Sequence, residues 1–283
     1  MTPVLLAGMA AVLFGAMTVF VRIALGSGVA PEVGSFFTIL PAWVVTVVFL
    51  ASQGAWDLRD AWPFALAGLL APGLAQILFT FAVRDAGASR TSVTVGTAPL
   101  FSVAIALIFL DEPLVAGLVL GAGLIVTGGI LLASERTTPT HFKRIGLVYA
   151  LVATAAFASR DPIVRWLATE STDVEPSQGA LLTMSTGMLM ALGFALVMRA
   201  PMTRRAAVGF VPAGVCYGLS YVFLFEAFFR ARVSVVSPIV ATESLWGVFF
   251  SWLILRSSER VGTRLVGGAA LVVAGGVLIG LNR

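Results

Sequence analysis

Charge is scarce in this sequence. Only 11% of its 283 residues are Asp, Glu, Lys or Arg, 59% are hydrophobic, and the mean hydropathy is +1.00. A soluble domain carries about 25% charged residues, because its surface must be solvated. So little charge excludes a water-facing surface of this size and points to an integral membrane protein. Cysteine and histidine are almost missing, with Cys216 and His141 the single examples. One cysteine excludes an internal disulfide, and a metal site built on Cys and His lacks ligands. Lysine is represented by Lys143 alone, so the net charge of +4 rests on arginines, most of them at the ends of apolar runs. No basic cluster interleaved with aromatics exists, which argues against a nucleic-acid partner.

Other absences narrow the function. No glycine-rich phosphate loop with its lysine occurs, which excludes an ATP-driven pump, and no cofactor is implied. An intramembrane aspartyl protease needs two facing aspartates, and only Asp161 lies at membrane depth. A serine or metal enzyme wants a core histidine, so no enzymatic activity is expected.

What is present is length in apolar runs. A spanning helix needs about 20 apolar residues. Ten segments meet that measure: 3–25, 33–52, 62–83, 91–110, 114–133, 144–168, 178–198, 206–229, 233–255 and 262–281. The first begins at Pro3 without a basic stretch before it, so it is expected to be a retained span rather than a cleaved signal. The longest polar stretch, 134–143, divides the chain into two units of five spans, 1–133 and 144–283.

The two units repeat each other. Laying "VLFGAMTVFVRIAL" (12–25) over "AAFASRDPIVRWLA" (155–168) brings Phe14 to Phe157 and Arg22 to Arg165. Laying "VGTAPLF" (95–101) over "VATESLW" (240–246) brings Thr97 to Thr242; upstream, Ala82 meets Ala227 and Ser89 meets Ser234. The glycine-rich "GAGLIVTGGIL" (121–131) matches "GAALVVAGGVL" (268–278). Five spans is an odd number, so the second unit enters the membrane in the opposite sense. The expected fold is all-α, with ten transmembrane helices in a 5+5 inverted-topology repeat. Many secondary transporters use that architecture for alternating access, and a receptor or scaffold has no need of it.

The sequence resembles the EamA-type transporters of the drug/metabolite transporter (DMT) superfamily. The resemblance is carried by Phe14-Gly15 followed by Arg22, "GAS" (87–89), "APLFSVAIALIFLDE" (98–112) and "GAGLIVTGGILL" (121–132). It implies ten helices, export or exchange of small metabolites, often amino acids, and a central cavity lined mainly by the third, fourth, eighth and ninth spans. The family usually has Trp at the position of Phe14 and a polar residue near Met17. Its second half usually carries Glu-Pro and then Gly-Glu, where Glu243-Ser244 and Ser258-Glu259 stand here. The resemblance also implies termini in the cytoplasm, whereas arginines crowd the side of the odd loops and argue for termini outside.

Ionisable groups at membrane depth usually face a cavity or a partner. Arg160, Asp161, Glu226 and Glu243 are the set here, with Gln76 the strongest neutral polar group. Arg160 and Asp161 fall opposite Met17 and Thr18 of the first unit. Neighbours on a helix point about 100° apart, so each is expected to need a partner elsewhere or a reorientation at Pro162. Arg160 is a candidate for a substrate carboxylate. Glu243, opposite Ala98, is a candidate for a proton or a substrate ammonium group. Glu226 lies four residues before Arg230, which suits an ordinary helix ion pair or a coupling role. Tyr217, Tyr221 and Trp246 are candidate substrate-stacking aromatics. Breaks at Pro72, Pro99, Pro162, Pro212 and Pro238 would supply hinges or free backbone groups.

These readings converge on a secondary transporter in the cell (inner) membrane. Amino acids or similar zwitterions are the favoured cargo, with proton coupling through Glu243 or Glu226. Another metabolite class (nucleotide-related, sugar or lipophilic cation), or a non-transporting receptor or scaffold, is the alternative. Lipid is the other expected partner, and the chain is a monomer or a homodimer.

Overall fold

A computed structural model describes residues 1–98, 100–101, 116–133, 142–171, 173–255 and 262–281. All regular structure among them is helical. The first unit contains α1 (Pro3–Gly26), α2 (Pro31–Gln53), α3 (Pro63–Gly68), a π-helical turn (Leu69–Leu74), α4 (Ala75–Ala86), α5 (Ala88–Val95) and α6 (Ala116–Ala133). The second contains α7 (Ile145–Glu170), α8 (Pro176–Val197), α9 (Arg204–Gly209), α10 (Val211–Arg230), α11 (Val233–Val240), α12 (Glu243–Ile254) and α13 (Thr263–Leu281).

Proline sets where many of these helices begin. Pro3, Pro31, Pro63 and Pro176 each open a helix, and Pro212 is the second residue of α10. A first-turn proline forfeits only an N–H that has no intrahelical acceptor, so it starts a helix at no cost. The Thr2 hydroxyl accepts from Leu5 N–H ahead of α1, and Glu175 and Gln178 cap α8 reciprocally.

Among the described residues, seven segments are long and apolar enough to cross a membrane: Pro3–Gly26, Pro31–Gln53, Pro63–Ala86, Ile145–Glu170, Pro176–Val197, Val211–Arg230 and Val235–Ile254. The expectation of ten is met only in part. Half of the span expected at 91–110 lies outside the described residues, and the spans expected at 114–133 and 262–281 contain the shorter apolar helical stretches Val119–Gly128, within α6, and Thr263–Ile279, within α13.

Packing exchanges partners between the units. α1 lies against α10, and α7, its counterpart, lies against α4; α1 also meets α12 while α7 meets α5. α2 packs on α8, and α6 packs on α13. At the last pair the backbones nearly touch. A Cβ on Gly121 would lie 2.8 Å from the Gly275 carbonyl oxygen, and one on Gly128 would lie 2.6 Å from that of Gly268. Membrane helices lack a hydrophobic force between them, so such close approach supplies the packing.

Helix ends are tied by charge. Arg22 donates to the carbonyls of Val83 and Arg84, and Arg165 donates to those of Phe228 and Phe229. Asp85, buried at the end of α4, accepts from Arg84 and lies 3.5 Å from the Lys143 ammonium. That contact draws the segment before α7 onto the end of α4.

Candidate substrate cavity

Between these helices lies a cavity with about 50 Å³ open to water. That is room for a few water molecules and too little for a metabolite, since a pocket for a small-molecule ligand measures about 300–1,000 Å³. Ten of its lining positions fall into five pairs under the repeat: Phe14 with Phe157, Met17 with Arg160, Thr18 with Asp161, Val95 with Val240, and Ala98 with Glu243. Each unit therefore supplies the same wall. The three ionisable groups all come from the second unit, where the first has Met17, Thr18 and Ala98. Phe79, Ser92 and Tyr217 complete the lining.

Arg160 and Asp161 pair with each other, contrary to the expectation from their spacing. Asp161 Oδ1 accepts from Arg160 Nε at 2.8 Å and lies 2.6 Å from Nη2. The long arginine side chain folds back to reach its neighbour, although the two Cβ atoms point apart. The guanidinium also sits 5.0 Å above the Tyr221 ring and 5.9 Å from that of Phe157. Its Nη1 is buried with no hydrogen-bond partner.

More polar atoms in this region are left open. Gln76 is fully buried and neither amide atom is bonded; it lies one turn before Phe79 on α4, at the position matching Tyr221 in α10. Ser92 and its repeat partner Ser237 both have buried, unbonded hydroxyls. The Tyr217 and Tyr221 hydroxyls lie near one another, but neither completes a hydrogen bond of ordinary geometry. Elsewhere most buried hydroxyls return to the carbonyl one turn back, as Thr38, Thr80 and Thr154 do. Water or cargo would satisfy the open groups, because a buried polar atom left unbonded costs about 1–3 kcal/mol.

The EamA-like transporter family matches residues 1–134 and 144–281. The chain belongs to that family. It is thus a membrane transporter of the DMT type and an integral, multi-pass protein. No curated protein matches its sequence. A solved structure, described only as the crystal structure of a protein, superposes with a TM-score of 0.69 at 17% identity, over 98% of this chain and 95% of the other. That likeness concerns the fold.

In this EamA-family chain, the structure gathers Arg160, Asp161, Tyr217 and Glu243 at one cavity, with Tyr221 beneath the guanidinium. Glu243 is the first residue of α12, just after the two-residue turn Ala241–Thr242 that parts it from α11. Trp246 lies elsewhere. Its backbone packs on Gly15, its ring stacks on Phe250, and the residue is 38% exposed on the outer face. Glu226 pairs with Arg230 near the end of α10 and does not line the cavity.

The prolines differ in what they do. Pro72 sits in the π-helical turn, where Ala71 leaves helical geometry at φ −147° and ψ 124°. Pro238 precedes the turn at Ala241–Thr242 by one helical turn, and Pro212 belongs to the first turn of α10. Pro162 stands inside α7, which continues through it to Glu170. Pro99 lies outside the described residues.

Sequence reasoning missed most of the uncharged lining, including Phe14, Thr18, Phe79, Ser92, Phe157 and Val240. The first and sixth spans line the cavity as fully as the third, fourth, eighth and ninth. The repeat alignment carried a usable signal for Phe157 and Thr18, which face Phe14 and Asp161 in it. Nothing in the sequence singled out Phe79.

Proposed function

We infer that the chain is a secondary transporter built as a 5+5 inverted repeat, residues 1–133 and 144–283 joined by 134–143. It moves a small zwitterionic metabolite by alternating access around the cavity, in the inner cell membrane. The paired lining with charge from one unit only carries this reading. Two units of opposite sense that line one cavity give it two equivalent gates, and the asymmetric charges give the cargo one orientation.

In this reading Arg160 Nη1 takes the cargo carboxylate, helped by the Tyr217 and Tyr221 hydroxyls and by Gln76. Glu243 takes the ammonium group or a proton from across the cavity, and Asp161 neutralises the guanidinium when the site is empty. Admitting cargo requires the cavity to widen. The interruptions at Ala71–Pro72 and Ala241–Thr242 are where α3–α4 and α11–α12 can hinge.

The test is transport in proteoliposomes preloaded with labelled amino acids, nucleosides or sugars, with and without a pH gradient. Saturable movement of amino acids is expected. Glu243→Gln is expected to abolish the response to the gradient. Movement of a different class would replace the zwitterion, and an unchanged pH response in Glu243→Gln would remove Glu243 from coupling. No movement of any class by folded protein would overturn the transport reading.

A further inference from the structure

A second concavity opens on the outer face of α1 and α12, two of the helices that line the cavity. It is a groove of about 730 Å³ between α1 and α12, walled by apolar side chains from Val4 to Val12 on one side and by Trp246 and Phe249 on the other. Gly8 lies in its bed, and a Cβ added there would meet nothing within 4 Å. Thr242 is its floor, one residue before Glu243, which lines the cavity. Further along α1 the groove is shut, because Gly15 rests directly on the backbone of Trp246 and Gly247.

Its length identifies what fits. Val4 to Val12 is nine residues of helix, about 12 Å along the axis. It starts near the end of a spanning helix and stops at mid-span. The hydrocarbon core of a bilayer is about 30 Å thick, so this is close to the depth of one leaflet. The groove faces outward from a multi-pass membrane protein, and its walls offer almost nothing polar.

We propose that the groove between α1 and α12 is a binding site for one acyl chain of a bilayer lipid, seated against the helix break that carries Glu243. The chain enters from the leaflet at the Val4 end, lies over Gly8 along the Trp246 ring, and ends at Thr242. A lipid tail in this place lies directly against Thr242, at the turn that precedes Glu243.

The test is tryptophan fluorescence in phosphatidylcholine vesicles, comparing ordinary lipid with lipid brominated along its chains. Two proteins are used: one retains only Trp246, the other only Trp252, an exposed tryptophan that lines not this groove but a neighbouring one, which shares Leu245 and Phe249 with it. Brominated chains are expected to quench both. Gly8→Phe, which puts a ring in the groove bed, is expected to relieve at least half of the Trp246 quenching and leave Trp252 unchanged. Met9→Phe narrows the same groove and serves if Gly8→Phe does not fold. Absence of Trp246 quenching, or quenching that both variants leave unaltered, would overturn the proposal. The readout involves no transport, so it succeeds or fails independently of the transporter reading.

Discussion

Arg22 and Arg165 perform the same act in the two units. Each reaches from the first helix of its unit to the last carbonyls of the third span, α4 or α10: Arg22 to Val83 and Arg84, Arg165 to Phe228 at 2.6 Å and Phe229 at 3.2 Å. Val83 and Arg84 stand opposite Phe228 and Phe229 when Ala82 is laid on Ala227. The repeat seen in the letters is therefore also a repeat of contacts. Helix-end carbonyls have no intrahelical donor, and a guanidinium supplies one with charge.

Arg165→Ala is expected to cost about 1.5–3 kcal/mol, the worth of a charge-assisted hydrogen bond. Arg22→Ala should cost a similar amount. Among the described residues the two sites share no partner, so the double variant should lose the sum of the two to within about 0.5 kcal/mol. Unfolding in detergent followed by circular dichroism checks this. A double variant no worse than either single one would show that the two contacts are not independent.

The Arg160–Asp161 pair invites a substitution that the repeat itself supplies. Asp161→Ala leaves a fully buried guanidinium without its carboxylate and is expected to cost about 3–5 kcal/mol. Replacing both residues by those of the first unit, Arg160→Met with Asp161→Thr, removes both charges together. That double variant is expected to match the parent in stability while losing saturable transport of charged cargo. Thermal unfolding and proteoliposome uptake give the two readings separately. Retained transport would show that the pair only braces the bundle.

How much of this was legible beforehand differs between wall and site. Composition alone placed the chain in a membrane, and the repeat alignment already paired Arg22 with Arg165 and Phe14 with Phe157. The direction each span faces was not legible. In a soluble helix the polar side marks the outside, but lipid is as apolar as the packed interior, so that mark is missing. Trp246 shows the consequence: it lies three residues beyond Glu243, yet it faces outward while Glu243 faces the cavity. Arg160 shows another limit. Spacing on a helix constrains Cβ directions, whereas a long, flexible side chain decides for itself where its guanidinium goes.

The seam between α6 and α13 gives a test of packing. A Cβ on Gly275 would lie 2.5 Å from the Gly121 carbonyl oxygen and 2.8 Å from an Ile125 methylene carbon, whereas one on Gly267 would meet nothing within 4 Å. Gly275→Ala forces the helices apart and is expected to cost about 1–3 kcal/mol, as overpacking does. Gly267→Ala is expected to be neutral or slightly stabilising, since alanine is the better helix former. Equal melting temperatures for the two variants would mean that the seam is not held by backbone contact.

Gln76 separates a cargo role from a structural one most cleanly. A buried amide that braced the bundle would have its oxygen and nitrogen bonded, and removing it would unfold the protein. Here both atoms are unbonded inside the bundle. Replacing an unsatisfied polar group by an apolar one of similar size is neutral or stabilising. Gln76→Leu is therefore expected to leave stability unchanged, or to raise it by about 1 kcal/mol. If the amide meets cargo or the water around it, apparent affinity for transported cargo should fall by about tenfold, equivalent to about 1.4 kcal/mol. Melting curves with and without cargo, together with the concentration dependence of uptake, resolve the two effects. A loss of stability without change in affinity would assign Gln76 to the scaffold; the opposite pattern would place it in the binding site beside Arg160.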